Sequence, residues 1–238
     1  MDKVIYEMNK YRMTREDNIL YAKRNIIDSI WKEANIEGIA VTFPETRAIF
    51  EGRTVPKISV NDTVAINNLK HGWQFILDTI DVQVDLAYVR QINHLIGASI
   101  VIRAGELRMS DVSIGGTYWK PDIPDYENAK QMIEEIASQE AGQSRALDMF
   151  VALCRAQLFY DGNKRTAQLV ANKMLIEDGA GILAIPTIYK EKFDELLVKF
   201  YETNNSEELI EFLDETSLDG FTLPDLDLEK EQDYGPTQ

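Results

Sequence analysis

Cysteine and histidine are scarce in this sequence of 238 residues, which contains one cysteine and two histidines. The single cysteine, Cys154, cannot form a disulfide within the chain, a pattern typical of a reducing compartment. The two histidines, His71 and His94, have no neighbouring cysteines or histidines at zinc-binding spacing. The chain is therefore predicted to fold without disulfides or structural zinc.

Basic residues are also scarce, and long apolar runs are absent. The chain has 25 Lys and Arg against 40 Asp and Glu, and its net charge is −15. Such an acidic chain is a poor candidate for binding DNA or RNA phosphates, so we expect no nucleic-acid partner. No run of about 18 apolar residues is present, which predicts no membrane partner. The charged N-terminus lacks an apolar signal core, so the cytoplasm is the expected location.

Apolar residues make up 45% of the sequence, enough for one globular domain with a real core. Their spacing is mostly helical, and Thr14 resembles the N-cap of a first helix. Around Gly115 and Gly116 the apolar residues alternate instead, which predicts a short β-hairpin. Further helices are predicted at residues 62–80, 86–102, 126–139, 145–158, 163–177, 188–202 and 207–213.

The segment most informative about chemistry is Gln157-Leu-Phe-Tyr-Asp-Gly-Asn-Lys-Arg-Thr-Ala-Gln168, which joins two predicted helices. Lys164 and Arg165 fall in the first turn of the second helix, where acidic residues are normally favoured. Two cations beside unsatisfied N–H groups are typical of an anion site. Gly162 would let the backbone approach an anion, and Asp161 suits a divalent cation that also touches phosphate. The alternative is a plain turn with solvated charges.

The same segment closely resembles the motif of the Fic family, H-x-F-x-(D/E)-G-N-(G/K)-R-x-x-R. Two positions depart from it, because Gln157 stands in place of the histidine and Gln168 in place of the last arginine. The matching residues are Phe159, Asp161, Gly162, Asn163, Lys164 and Arg165.

Three upstream segments also resemble Fic features. Residues 105–108 resemble G-x-(L/Y/F)-R, and Glu51-Gly52 resembles the inhibitory segment (S/T)-x-x-x-E-(G/N). Thr46 lies five residues before Glu51 rather than the four that this pattern requires. The residues that resemble the flap for positioning a protein target are Val112, Ser113, Ile114, Gly115, Gly116 and Tyr118.

The resemblance implies a mainly α fold, a Fic-type helical bundle with a short β-hairpin flap. It divides the chain into an N-terminal helical extension at 1–45, a core at 46–202, a C-terminal helix at 203–218 and an acidic flexible tail at 219–238. Within the core it places a possible inhibitory segment at 46–60, the flap at 105–121 and the motif loop at 157–168.

Fic proteins typically move AMP from ATP to a hydroxyl of a protein target, so the resemblance implies ATP and Mg²⁺ as cofactors and an unidentified protein as partner. A homodimer is also possible. Asp161 would hold Mg²⁺, and Gly162 and Asn163 would cradle phosphate. Positive charge would come from Lys164 and Arg165. Gln168 would occupy the place of the last phosphate-binding arginine.

Gln157 would occupy the place of the general base. An amide cannot take up a proton near pH 7, and loss of a general base typically costs roughly 10²–10⁴ in rate. The expected function is therefore nucleotide binding with AMP transfer reduced or altered. Without an arginine at Gln168, Glu51 would pair with Arg165 or no longer inhibit.

Three alternatives to a weakened AMP transferase follow from the same residues. The first is an inactive Fic fold that binds a nucleotide or a protein. The second is an enzyme that transfers another phosphate-containing group. The third is a helical interaction protein in which the loop is only a turn.

Overall fold

The computed structural model describes residues 9–223 of the chain. These residues form nine α-helices and one small antiparallel sheet, so the mainly helical fold class is confirmed. No helix among them is both long enough and apolar enough to cross a membrane. The elements are α1 (Arg15–Ile36), α2 (Phe43–Phe50), α3 (Val60–Asp78), α4 (Leu86–Gly97), α5 (Tyr126–Ala137), α6 (Gln143–Ala156), α7 (Asn163–Glu177), β1 (Ile182–Leu183), α8 (Lys190–Thr203), α9 (Glu207–Ser217) and β2 (Leu218–Asp219).

Helix α7 lies at the centre of the molecule. It packs against α1, α3, α4, α6 and β1, and all of its residues except Lys164 and Glu177 are buried. Because burial of apolar surface is the main favourable term in folding, the helices collect around α7 and fix its position. The first turn of this central helix carries the cations that the sequence analysis singled out.

Side-chain caps define where five of the described helices begin, α1 and α2 among them. Thr14 accepts a hydrogen bond from the Asp17 N–H at 3.1 Å, so the predicted N-cap of α1 is confirmed. Helix α2 is not among the helices predicted from the sequence, since Gly38 and Pro44 interrupt the helical spacing of apolar residues there. Pro44 instead lies in the first turn of α2, where its missing N–H costs nothing, and Thr42 and Glu45 form a capping box.

Helix α4 ends at Gly97, five residues before the predicted end at 102. A Cβ atom on Gly97 would lie 2.7 Å from the Cβ of Ala104, so the chain folds back closely on the helix end here. Ser99 and Arg103 have positive φ angles within this return. The reversal brings the start of the flap beside the motif loop.

The flap has a turn at residues 115–116, as predicted, but its two arms do not pair as strands. Each arm is held by the body of the protein instead. In the first arm, Arg108 donates its backbone N–H to the Leu158 oxygen at 3.0 Å and its buried Nε–H to the Gln157 oxygen at 2.6 Å. In the second arm, Thr117 donates to Glu202 on α8 at 2.9 Å. Contacts with the motif loop and α8 therefore hold the flap, in place of hydrogen bonds between paired strands.

The small sheet lies elsewhere, at a place the sequence did not predict. Strands β1 and β2 pair antiparallel, with Leu183 opposite Leu218. After β2, Leu223 donates its N–H to the Arg12 oxygen at 2.9 Å. Residues 1–8 of the predicted N-terminal extension and residues 224–238 of the predicted acidic tail lie outside the described residues.

Candidate functional site

The motif loop between α6 and α7 is shaped by two left-handed residues and one side-chain clamp. Gln157 ends α6 with φ 44° and ψ 52°, and Gly162 precedes α7 with φ 78°. The Asn163 side chain accepts the Phe159 N–H at 3.0 Å and donates to the Phe159 oxygen at 2.9 Å. The Asn163 side chain thus folds the loop back on itself.

Asn93 on α4 ties this loop to its surroundings, a role that the sequence analysis missed. Its Nδ2 donates to the Asp161 oxygen at 2.9 Å and to Thr166 Oγ1 at 3.1 Å. Its Oδ1 accepts the Gly105 N–H at 2.8 Å. The sequence signal was a polar residue on an otherwise apolar helical face, beside Ile92. A buried polar side chain in such a place normally has specific partners.

Gly162 is required by the packing of the loop as well as by its backbone conformation. A Cβ atom there would lie 3.1 Å from Ile96 Cδ1 and 3.2 Å from Asn93 Nδ2. Side chains other than glycine also rarely adopt its positive φ. The glycine predicted to admit an anion therefore has a second role, which is to let the loop lie directly on α4.

Lys164 and Arg165 both bind one carboxylate, that of Glu37. Lys164 Nζ lies 3.2 Å from Glu37 Oε1, and Arg165 Nε lies 3.1 Å from Glu37 Oε2. Burial lowers the pKa of Lys164, but the charge of the nearby Glu37 carboxylate outweighs this effect and leaves that pKa raised. The first turn of α7 therefore holds an anion, supplied by the chain itself.

Glu37 is placed by the way α1 ends. Gly38 has a φ of 85°, and the Ile39 and Gly38 N–H groups bond to the Ala34 and Asn35 oxygens, which makes a Schellman motif. An acid at a helix C-terminus is unfavourable to the helix dipole, and the two cations offset this cost. The short Glu-Gly sequence thus both ends the helix and presents the carboxylate.

The predicted inhibitory residue, Glu51, lies elsewhere. It pairs with Arg53 at the exposed end of α2, and no ion pair within residues 9–223 joins it to the motif loop. Glu37-Gly38 satisfies the E-(G/N) half of the inhibitory pattern equally well, with Glu33 where the pattern has Ser or Thr. The sequence signal that could have found Glu37 was this second Glu-Gly pair. Neither pair has a Ser or Thr four residues before its glutamate.

The Gln157 side chain makes three hydrogen bonds inside the protein. Its Nε2 donates to the Cys154 oxygen at 2.7 Å and to Tyr201 Oη at 3.3 Å, and its Oε1 accepts from Asn163 Nδ2 at 3.1 Å. Both amide hydrogens therefore have partners. Burial raises the pKa of the Tyr201 hydroxyl, so this neighbour is also neutral near pH 7.

Gln168, at the position of the last arginine of the motif, faces away from the anion site. Its side chain is buried and donates to the Leu183 oxygen of β1 at 3.3 Å. Asn172 binds the same oxygen at 2.9 Å. Gln168 thus supports the small sheet, and the cations of the described loop that reach Glu37 are Lys164 and Arg165.

Asp161 carries an exposed carboxylate at the mouth of the loop. Its side chain is 61% exposed, and Oδ1 accepts from the Gly162 N–H at 2.6 Å and lies 3.3 Å from Arg165 Nη2. Mg²⁺ is usually held by one or two carboxylates together with substrate phosphates and water. One accessible carboxylate beside an anion site fits that requirement.

An open cleft of about 690 Å³ connects these parts. Its walls are flap residues 112–116, loop residues 160–164, Gln157, Glu37 and the face of α8 that carries Leu197 and Tyr201. Volumes of this size are typical of small-molecule sites. Tyr118 of the predicted flap is fully exposed and does not line the cleft.

The sequence is similar to proteins named protein adenylyltransferase Fic. It is 26% identical over 181 residues to the one from Drosophila melanogaster and 25% identical over 180 residues to the one from Drosophila virilis. Each match includes 72% of this chain, with 36% and 37% of the relative. The chain thus spans about a third of the length of these relatives. No family model matches the sequence.

Solved Fic structures share the fold. Fic-1 (residues 134–508) from C. elegans superposes with a TM-score of 0.72 and 17% identity, covering 88% of this chain and 64% of that one. A Fic domain containing signaling protein from Bacteroides thetaiotaomicron has a TM-score of 0.68 and 17% identity, and 85% of each chain is covered. At this identity, these neighbours establish the fold alone.

Proposed function

Because this chain carries a Fic domain, we propose that it binds ATP with Mg²⁺ in the cleft beside the first turn of α7. The observation that carries this proposal is the Glu37 carboxylate held between Lys164 and Arg165. A site that already binds a carboxylate with two cations at a helix N-terminus has the chemistry to bind phosphate oxygens. In this proposal the phosphates take the place of Glu37.

Asp161 is the residue proposed to hold Mg²⁺. The ion would neutralise part of the phosphate charge and polarise the phosphoryl group. The backbone of Gly162 and Asn163 would line the phosphate pocket, with Lys164 and Arg165 as counter-charges. Asn163 also holds the loop in shape, so its side chain acts indirectly.

The proposed activity is protein adenylyl transfer, reduced or altered because of two residues of the motif loop. Gln157 offers no group to accept a proton from a target hydroxyl, and Gln168 adds no charge to the phosphate site. An extended segment of a protein target would dock along flap residues 112–116 by strand addition. Glu37 restrains the site further, because nucleotide binding requires it to leave both cations.

A nucleotide-binding protein without transferase chemistry is the second candidate. It is favoured by the hydrogen bonds of the Gln157 amide, whose two donors are both used inside the protein. In that case the chain binds nucleotide, and its readout is a change in conformation or partner binding. Labelled-AMP transfer separates the two candidates, whereas nucleotide affinity does not.

Calorimetric titration with ATP·Mg²⁺ tests the binding site. Glu37→Gln removes the competing charge and should tighten ATP binding by about tenfold or more, which corresponds to about 1.4 kcal/mol. Glu51→Gln is the matched control, because it removes an exposed acid paired with Arg53. That variant should bind ATP as the wild type does.

Two outcomes would contradict the proposal. One is the absence of ATP binding in both the wild type and Glu37→Gln. The other is a similar gain in affinity in Glu37→Gln and Glu51→Gln, which would mean that net charge rather than the Glu37 position controls binding.

A further inference from the structure

Glu33 is a fully buried acid on α1, one helical turn before Glu37. Its side chain is 1% exposed. One carboxyl oxygen, Oε2, accepts a hydrogen bond from Trp73 Nε1 at 3.4 Å. The other, Oε1, has no hydrogen-bond partner within residues 9–223. A buried ionised carboxylate normally needs several donors or a paired cation, and these surroundings favour the neutral acid.

The position of Glu33 is unusual in the inhibitory pattern. When (S/T)-x-x-x-E-(G/N) is aligned on Glu37-Gly38, the Ser or Thr position falls on Glu33. A hydroxyl at this place stays neutral at every physiological pH. A carboxylic acid at the same place carries a proton that can be lost, directly behind the groups that hold the anion.

We infer that Glu33 keeps its proton behind the phosphate site, and that polyphosphate binding at the start of α7 depends on that proton. This inference rests on the proposed function, since it concerns how the same site is regulated. It adds a group that would not touch the nucleotide. Glu33 would act through the electrostatic potential around Arg165 and Glu37.

The groups that face Glu33 come from three helices. They are Glu37 on α1 itself, the Trp73 N–H on α3 and the Arg165 guanidinium on α7. Burial and then the charge of Glu37 raise the pKa of Glu33 to about 8, against the lowering effect of Trp73 and Arg165. Near neutral pH the acid is thus mostly protonated.

The direction of the linkage follows from the charge of the ligand. A triphosphate brings more negative charge to Lys164 and Arg165 than the Glu37 carboxylate it displaces. A nearby negative charge favours the neutral form of an acid, so bound nucleotide raises the pKa of Glu33 above its free value. Nucleotide affinity is therefore retained below about pH 8 and falls as pH rises above that value.

Titrations of the full chain with ATP·Mg²⁺ between about pH 7.5 and about pH 9.5 test this linkage. In that range phosphate is already fully ionised, and most lysine and tyrosine side chains keep their protons. The hydrogen bond from the Met109 N–H lowers the pKa of Tyr160, which also lines the cleft, but the Glu33 variants keep this tyrosine, so their difference from the wild type isolates Glu33. Wild-type affinity should fall by about fivefold, because loss of one linked proton changes affinity by at most about tenfold per pH unit. Glu33→Gln, which cannot ionise, should change by less than about twofold.

Glu33→Ser provides a second neutral variant with the hydroxyl of the pattern, and it should behave like Glu33→Gln. Glu51→Gln should keep the wild-type pH dependence. Equal pH dependence in the wild type and both Glu33 variants, or none in the wild type, overturns this inference and leaves nucleotide binding intact. If neither the wild type nor Glu37→Gln binds ATP at any pH, the proposed function and the linkage fail together.

Unfolding without nucleotide gives an independent readout of the proton on Glu33. The pKa of the folded state, about 8, lies above the ordinary value of 4.5. Between these values the folded state binds more protons than the unfolded state, so stability decreases as pH rises. The stability gap between Glu33→Gln and the wild type should widen from about pH 5 to about pH 8 and then stay constant. A gap that does not change over this range overturns the inference.

Discussion

At the scale of the residue, the side chain of Gln157 belongs to the structure of the loop. Its amide bridges the end of α6, the Tyr201 hydroxyl and the Asn163 side chain. The same amide cannot take up a proton near neutral pH, so position 157 supplies no general base. Substitution of this one side chain therefore separates the chemistry of the site from its ability to bind a nucleotide.

Gln157→His is expected to increase AMP transfer by roughly 10²–10⁴, the usual contribution of a general base. The comparison is best made in the Glu37→Gln background, where the anion site is free of its internal carboxylate. Transfer is measured with α-labelled ATP, as label on the chain itself or on an added protein.

Gln157→Asn is the control for that comparison, since asparagine also lacks a proton-accepting group and should leave transfer at the starting level. Equal labelling by the histidine and asparagine variants would mean that no base acts at position 157. Label that enters with a different phosphate-containing group would favour another transfer reaction.

Single residues also show what could be predicted from the sequence at the site. The order of residues in the motif loop predicted where Lys164 and Arg165 meet an anion, because both lie in the first turn of one helix. The same order does not show which group of the protein supplies that anion. Glu37 and Glu51 both precede a glycine, and only the fold places one of them beside the two cations.

At the scale of the element, helical periodicity predicted most of the helices to within a few residues. It failed for α2, because eight residues make only about two turns, too few for a period to be visible, and Pro44 interrupts the spacing. The caps of α2 were stronger signals than its apolar pattern. For the flap, alternation correctly indicated a turn, but alternation alone cannot tell strand pairing from attachment to the body of the protein.

Asn93 gives the clearest prediction at this scale, because it connects α4, the motif loop and the start of the flap. Asn93→Ala removes three hydrogen bonds and leaves the Gly105 N–H without its partner. We expect a loss of roughly 2–3 kcal/mol in the free energy of unfolding and weaker ATP binding. Chemical denaturation and calorimetry measure the two effects.

His94→Ala is the control for Asn93→Ala. His94 is the next residue on α4, it is exposed, and its ring contacts the Ala104 oxygen at 3.2 Å. Its removal should cost no more than about 0.5 kcal/mol. Similar losses in the two variants would indicate a general weakness of α4 rather than a specific connection to the loop.

At the scale of the whole molecule, the candidate site is assembled from segments far apart in the sequence. The end of α1, the flap, the start of α7 and one face of α8 meet around the cleft, where α7 packs directly against α1. Composition and periodicity predict a helical domain with a core. They carry no information on which loop ends meet, and that requires the packed structure or a family resemblance.

A crystal structure of Glu37→Gln with ATP and Mg²⁺ tests most directly where the phosphates bind. The expected result is phosphate density against the first turn of α7, within hydrogen-bond distance of Lys164 and Arg165, with the metal beside Asp161. Nucleotide bound elsewhere would contradict the proposed site. So would the absence of nucleotide density at the first turn of α7 when ATP is saturating.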